Sequence, residues 1–329
     1  MSNVLVTGAG GFIGGHLVAA LRQRDDVASV RGVDRVPVDQ WHQRFDDVDS
    51  RCGDVQLLEE CQKAVEGIDV VYNLAADMGG MGFIENNKAL CMLSVLISTH
   101  MLEASRQAGV QRLFYSSSAC VYAADKQESP EVEPLKESDA YPAMPEDGYG
   151  WEKLFSERMC RHFTEDFGLE TRVARYHNVY GPLGTYDGGR EKAPAAISRK
   201  VASAVLSGKH EIEIWGDGQQ TRSFTYIDDC VEGTMMLTNS DVREPLNIGS
   251  EQLVTINELV DIVEGIAGVT LERKYNLSAP QGVRGRNSDN TKITKELGWA
   301  PAITLEYGME QTFSWILEQM RAGATPITR

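Results

Sequence analysis

The first apolar run of the chain, Val4-Leu5-Val6, leads straight into Thr7-Gly8-Ala9-Gly10-Gly11-Phe12-Ile13-Gly14. Glycine at 8, 11 and 14, between a strand and a helix, is a narrow constraint. The first position permits a tight turn, the second lets backbone approach a pyrophosphate, and the third lets helix pack close to strand. Phosphates then sit at the helix N-terminus, where unpaired N–H groups and the dipole favour an anion. Gly8, Gly11, Phe12, Ile13 and Gly14 are therefore expected to hold a dinucleotide. The next apolar run, Val30–Val33, ends in Asp34, 20 residues after Gly14. An acid there accepts the ribose hydroxyls of the adenosine half and repels a 2′-phosphate, which predicts NAD over NADP. Arg35 is the one neighbour that pulls the other way. Asp54 follows the next strand and is expected to meet the adenine amino group or to cap a helix.

Strand-forming runs alternate with helical stretches through the first half. Phe12–Arg22, Leu57–Val65 and Met92–Ala108 read as helices; Val70–Leu74 and Arg112–Ser116 read as strands. That alternation predicts an α/β fold, a Rossmann-type doubly wound parallel sheet with helices on both faces. The segment 125–147 carries Pro130, Pro134, Pro142 and Pro145 and reads as a long surface excursion. A helix over Tyr149–Phe167 and a strand near Thr171–Tyr176 follow. Beyond Gly181 the pattern loosens into a smaller α/β lobe. The expected division is a dinucleotide-binding domain over 1–176 and a mainly substrate-binding lobe over 177–329, with later segments returning to the first sheet.

Composition narrows the partners. The chain has 32 Lys and Arg against 48 Asp and Glu, a net charge of −16. Nucleic acid, which needs clustered basic residues, is not expected; a small anion in a locally basic pocket is compatible. No stretch nears the ~20 apolar residues of a membrane span, and the N-terminus lacks a signal pattern, so a cytoplasmic protein is expected. Six widely spaced cysteines without a C-x-x-C pair predict reduced thiols and no metal site. Five are expected to be buried and inert.

Tyr149-Gly150-Trp151-Glu152-Lys153 places a phenol and an ammonium one helical turn apart. A nearby cation favours phenolate, which turns a poor base into a usable one, and both Tyr149 and Lys153 are also expected to meet the dinucleotide, the Lys at the nicotinamide ribose. Ser118, in Ser116-Ser117-Ser118-Ala119-Cys120, can hydrogen-bond the same substrate oxygen. The order of glycine motif, Ser-rich strand end and Tyr/Lys pair resembles the short-chain dehydrogenases/reductases. The Tyr-Gly-x-x-Lys form and Arg175-Tyr176-His177-Asn178-Val179-Tyr180-Gly181-Pro182 resemble the extended branch, whose members act on nucleotide sugars. In sugar 4,6-dehydratases of that branch the two residues after the catalytic Ser/Thr are Asp-Glu. Here they are Ala119 and Cys120, which argues against dehydration.

Three longer segments sharpen the resemblance: Ser-Ser-Ala-Cys at 117–120, Ala-Asp-Met-Gly-Gly-Met-Gly-Phe at 76–83 and Gly-Gly-Arg-Glu-Lys-Ala-Pro-Ala at 188–195. With Gly-Asp-Gly-x-Gln-Thr-Arg-Ser-Phe-Thr at 216–225 and Gly-Val-Arg-Gly-Arg-Asn-Ser-Asp-Asn at 282–290, they resemble the GDP-mannose 3,5-epimerases over nearly the whole chain. The resemblance implies catalytic roles for Ser118, Cys120, Tyr149, Lys153 and Lys192, with Cys120 and Lys192 as an acid/base pair. It implies a nucleotide-sugar site of Gly79, Ser118, Ala119, Cys120, Tyr149, Asn178, Glu191, Lys192, Ala193, Lys200, Gln220, Thr221, Arg222 and Arg284. Arg222 and Arg284 are the expected diphosphate ligands, with Arg286 able to replace Arg284. The alternatives that remain are a 4-epimerase, a 3,5-epimerase of a GDP-heptose or related sugar, and a catalytically silent binding module. The resemblance also implies a homodimer through Met92–Ala108 and Trp151–Phe167. One departure stands out: the branch usually has Asn where this chain reads Cys91-Met92-Leu93-Ser94.

Overall fold

The computed structural model describes residues 1–323, so the last six residues of the expected 177–329 lobe lie outside the described residues. The strands are β1 (Ser2–Thr7), β2 (Val27–Asp34), β3 (Asp49–Cys52), β4 (Val70–Asn73), β5 (Arg112–Ser118), β6 (Glu170–Tyr176), β7 (Val179–Tyr180), β8 (Glu211–Trp215), β9 (Thr221–Ser223), β10 (Thr225–Tyr226), β11 (Leu246–Ile248), β12 (Leu253–Thr255), β13 (Glu272–Asn276) and β14 (Gly285–Arg286). The helices are α1 (Phe12–Leu21), α2 (Leu58–Ala64), α3 (Met81–Asn86), α4 (Lys88–Met92), α5 (Ser94–Ala108), α6 (Tyr149–Phe167), α7 (Ala193–Ser207), α8 (Ile227–Asn239), α9 (Ile256–Ala267), α10 (Thr291–Leu297) and α11 (Leu305–Arg321).

Seven strands form one sheet in the order β11-β6-β5-β4-β1-β2-β3, and every pair in it is parallel. Each face is closed by helices. Leu17, Val18 and Leu21 of α1 share one core with Ile227, Cys230 and Leu237 of α8. Cys61 and Ala64 of α2, Met101 and Leu102 of α5, and Cys160 and Phe163 of α6 fill the other. Burial on both faces is why the strands read as unbroken apolar runs rather than as alternation. The strand order reverses beside β1, which opens a crevice at the carboxyl ends of β1 and β4.

Two expectations are refined. The helix predicted over Met92–Ala108 is α5, Ser94–Ala108, with Met92 closing the short α4 before it. The prolines of 125–147 mark irregular backbone that runs over the surface as expected, most of its residues exposed, but the segment is anchored at a few buried points. Leu135 and Ala140 are buried with Val121, Tyr122 and Leu154. Its backbone is tied to the second lobe, Leu135 N–H donating to the Asn287 carbonyl (3.0 Å) and Arg284 N–H to the Gln127 carbonyl (2.9 Å). Backbone that is buried needs such partners, and the 282–290 segment supplies them.

The second lobe packs α7, α9 and α11 together and carries three small sheets, β10-β7, β13-β8 and β12-β9-β14. As expected, the chain then returns: β11 adds to the edge of the main sheet beside β6. Among the described residues no helix is long and apolar enough to cross a membrane.

Candidate active site

A cleft of about 410 Å³ follows the carboxyl ends of the central strands. Gly8, Gly11, Phe12, Ile13, Gly14, Asp34, Asp54, Tyr149 and Lys153, the residues expected at a dinucleotide, all line it. The glycine at 14 is required by contact: a Cβ there would stand 2.1 Å from the Gly8 carbonyl oxygen. The cradle thus fits a pyrophosphate at the α1 N-terminus, with a carboxylate at the end of β2. Asp54 Oδ1 accepts from the Gln56 N–H (2.9 Å) and so shapes the turn before α2. Arg35 does not face a 2′-phosphate freely. Its guanidinium grips the buried carboxylate of Asp77 (Nη1–Oδ2, 2.7 Å), which cancels the charge that favoured NADP.

A second cavity of about 350 Å³ adjoins the first. It brings together Gly79, Ser118, Ala119, Cys120, Tyr149, Asn178, Glu191, Lys192, Ala193, Lys200, Gln220 and Arg222. Tyr149 and Lys192 line both spaces. Cys120 enters from the turn after β5, and its backbone N–H donates to Ser118 Oγ (3.2 Å). Lys192 enters from the loop that starts α7. Burial pulls the Lys192 ammonium below its ordinary value, and the neighbouring Cys120 opposes that shift. Gly150 explains the Tyr-Gly pair. A Cβ there would lie 2.3 Å from the Cys120 carbonyl oxygen, so only glycine lets α6 seat Tyr149 against the Cys120 turn.

Lys153 Nζ donates to the Ser116 carbonyl (3.1 Å) and lies over the rings of Tyr115 and Tyr149. Burial holds the Tyr149 phenol well above its ordinary value; Cys120, Glu152 and Cys91 add to this, and the Ser118 hydroxyl opposes it. The bound nicotinamide ring would bring a positive charge that favours phenolate.

Two expected sugar-site residues sit elsewhere. Thr221 is buried and its hydroxyl donates to the Pro130 carbonyl (2.5 Å), which locks the 125–147 segment. Arg284 turns to Asp217 (3.0 Å) rather than into the cavity. Side chains two apart share a face in a regular strand, but β14 begins only at Gly285, so Arg284 lies before the regular pairing. Arg286 takes the inner position. It is 5% exposed, its Nη1 is 3.6 Å from Cys120 Sγ, its Nε donates to Gln127 Oε1 (2.6 Å), and it pairs with Glu146. Arg222 donates to the carbonyls of Thr221 (2.7 Å) and Val283 (2.6 Å) and, among the described residues, pairs with no carboxylate. Burial brings its pKa down to about 10. A desolvated guanidinium without a counter-ion suits a diphosphate.

Sequence reasoning missed a clasp. Gly80 N–H donates to the Arg190 carbonyl (3.0 Å), and the Arg190 guanidinium stacks 3.8 Å from the Phe83 ring centre. The 76–83 and 188–195 motifs are therefore two sides of one closure. Ser94, where the branch usually has Asn, is buried and its Oγ accepts from the Asp77 N–H (2.9 Å), holding that loop. All six cysteines are free, and Cys52 departs from the expected burial by being exposed.

The model of the NAD dependent epimerase/dehydratase family matches residues 4–249. A GDP-mannose 3,5-epimerase 1 of Oryza sativa subsp. japonica is 48% identical over 326 residues, covering 98% of this chain and 83% of that protein. Among solved structures, a UDP-glucose 4-epimerase of Thermotoga maritima with UDP-glucose superposes with a TM-score of 0.86 at 27% identity, covering 97% of this chain and 99% of that one. A UDP-glucuronic acid 4-epimerase of Bacillus cereus, in complex with UDP-glucuronic acid and NAD, gives 0.82 at 26%, over 97% and 99%. With a sheet, a cofactor cleft and a Tyr/Lys pair that agree with these matches, the chain belongs to the NAD dependent epimerase/dehydratase family.

Proposed function

We propose that the chain is an isomerase that inverts C3 and C5 of a GDP-sugar, converting the GDP-mannose configuration to that of GDP-L-galactose. The observation that carries this reading is the cavity in which Cys120 and Lys192, from different elements, join Tyr149 and Ser118. The relatives named GDP-mannose 3,5-epimerase support the base and the sugar.

NAD, held by the glycine turn and Asp34, would supply a reversible hydride acceptor for C4. Tyr149 takes the C4 hydroxyl proton and later returns it, while Ser118 holds the C4 oxygen. A 4-keto group acidifies the C–H bonds at C3 and C5. A thiol and an amine can each give and take a proton, and burial pulls the Lys192 ammonium below its ordinary value. Cys120 and Lys192 serve as that pair. Arg222 balances the diphosphate, and Lys200 and Gln220 line the same cavity. A 4-epimerase has no use for such a pair, and Ala119-Cys120 does not offer the Asp-Glu of a dehydratase. In D2O, deuterium should enter at C3 and C5 of GDP-mannose without added cofactor. Exchange at neither carbon would sink the reading.

The same reading includes a homodimer in a reducing, cytoplasmic compartment, which keeps the Cys120 thiol free. Met92, Leu93 and Leu96 at the α4/α5 junction and Trp151 and Phe155 on α6 are 38–50% exposed. α5 packs against α6, so these side chains make a neighbouring apolar surface that a second copy would cover. Trp151→Glu with Phe155→Glu is expected to convert a dimer to a monomer in light scattering after size exclusion. A wild-type monomer at micromolar concentration would refute the dimer.

A further inference from the structure

Glu152 lies between Tyr149 and Lys153 in the motif, yet no role in the cycle has fallen to it. Its side chain is fully buried, and that of Lys153 beside it is 2% exposed. Oε1 accepts from the Tyr115 hydroxyl (3.2 Å) and the Ser156 hydroxyl (2.9 Å). Among the described residues Oε2 meets no hydrogen-bond donor, and it stands 3.7 Å from Lys153 Nζ. A carboxylate with an unfilled oxygen in a dry site is costly unless a charge balances it. Packing of α6 alone would be served better by an apolar side chain.

The groups that face this pair are few. Tyr149 is met by Ser118 and Cys120 from the β5 end, by Cys91 from α4, and by Glu152 and Lys153 from its own helix. Glu152 is met by Tyr115 from β5 and by Lys153 and Ser156 from α6, with Cys160 nearby on α6 and Cys91 on α4. Lys153 is the one cation in this set.

We propose that Glu152 is a positioning residue for the redox half of the cycle: its carboxylate balances the Lys153 ammonium and so sets how readily Tyr149 returns its proton at C4. The proposal rests on the epimerase reading, which gives Tyr149 a demand that one-way oxidation lacks. The phenol must take a proton and give it back on one substrate molecule. An unopposed ammonium favours phenolate and would hold the sugar at the 4-keto stage. The Glu152 charge pushes Tyr149 the other way, toward re-reduction and closure of the cycle.

The test is Glu152→Gln in the holoenzyme. An ionic neighbour shifts a pKa by about one unit or more, so the acid limb of the kcat–pH profile should move down by about one unit. The steady-state fraction of reduced cofactor, read by its absorbance during turnover of GDP-mannose, should rise several-fold. Tyr115→Phe removes one donor from Glu152 without changing the ring. It should move both readouts the same way by less, and it serves if the first variant folds poorly. An unmoved limb and unchanged reduced fraction, with kcat falling equally at all pH, would overturn the proposal in either variant. If wild type does not reduce its cofactor with GDP-mannose, the epimerase reading fails instead. The proposal is then still read without substrate, from the phenolate absorbance of each holoenzyme titrated against its Tyr149→Phe counterpart. Equal Tyr149 titration with and without Glu152 would overturn it.

Discussion

Cys120→Ser is expected to lower turnover about 10²–10⁴-fold, the range for removal of a general acid/base, while substrate still reduces the bound NAD. The two outcomes separate because the groups do. Cys120 touches the sugar cavity, whereas the hydride step depends on Tyr149, Lys153 and Ser118. A serine hydroxyl is nearly isosteric but a far weaker acid than a thiol, so it cannot carry the proton at neutral pH. The 4-keto sugar should accumulate, and deuterium incorporation at C5 and C3 should fall with the rate. A variant that epimerises at the wild-type rate would remove Cys120 from the chemistry and restore the 4-epimerase reading. Arg286 Nη1 lies 3.6 Å from the sulfur.

Tyr149→Phe should act one step earlier. With the phenol gone, the C4 hydroxyl loses the base proposed to take its proton, so NAD reduction and turnover should drop together, again by about 10²–10⁴-fold. The pH dependence has a definite sign. Burial raises the Tyr149 pKa, and the reactive form is phenolate, so hydride transfer from the sugar should speed up as pH rises and slow as it falls. The residual rate of Tyr149→Phe should lose that slope. Stopped-flow absorbance of the cofactor reads both effects. A variant that reduces NAD normally but stalls afterwards would assign Tyr149 to a later step.

The sheet and the cofactor cleft were legible because their signals are local. The glycine turn, the acid after β2 and the apolar runs each sit in one short stretch, and the physics that fixes them is confined to it. The cavity was less legible because its residues come from many widely separated segments. Resemblance named most of them, but it could not say which of Arg284 and Arg286 points inward. That choice depends on where β14 starts and on the Asp217 and Glu146 partners, 67 and 140 residues away in sequence. The anchoring of the 125–147 segment was hidden for a related reason. Prolines report irregular backbone correctly, but they carry no information on whether a distant stretch such as 282–290 will cover it. The Asp77 clasp on Arg35 and Arg190 likewise joins side chains that no spacing links.

The return of β11 to the main sheet has a consequence for how such a protein is altered. A chain cut after Tyr176 would leave β6 as an open edge, prone to pair with other molecules. It would also strip α8 from one face of the sheet, along with the buried Ile227, Cys230 and Leu237. The lobes are thus interleaved rather than joined end to end, and exchanging whole halves between relatives would disrupt a shared core. New specificity is more readily introduced by grafting the short stretches that rim the cavity, 76–83, 188–195 and 280–286, onto an unchanged scaffold. Divergence within the family faces the same restriction: substrates can change through loops, while the weave itself must be inherited whole.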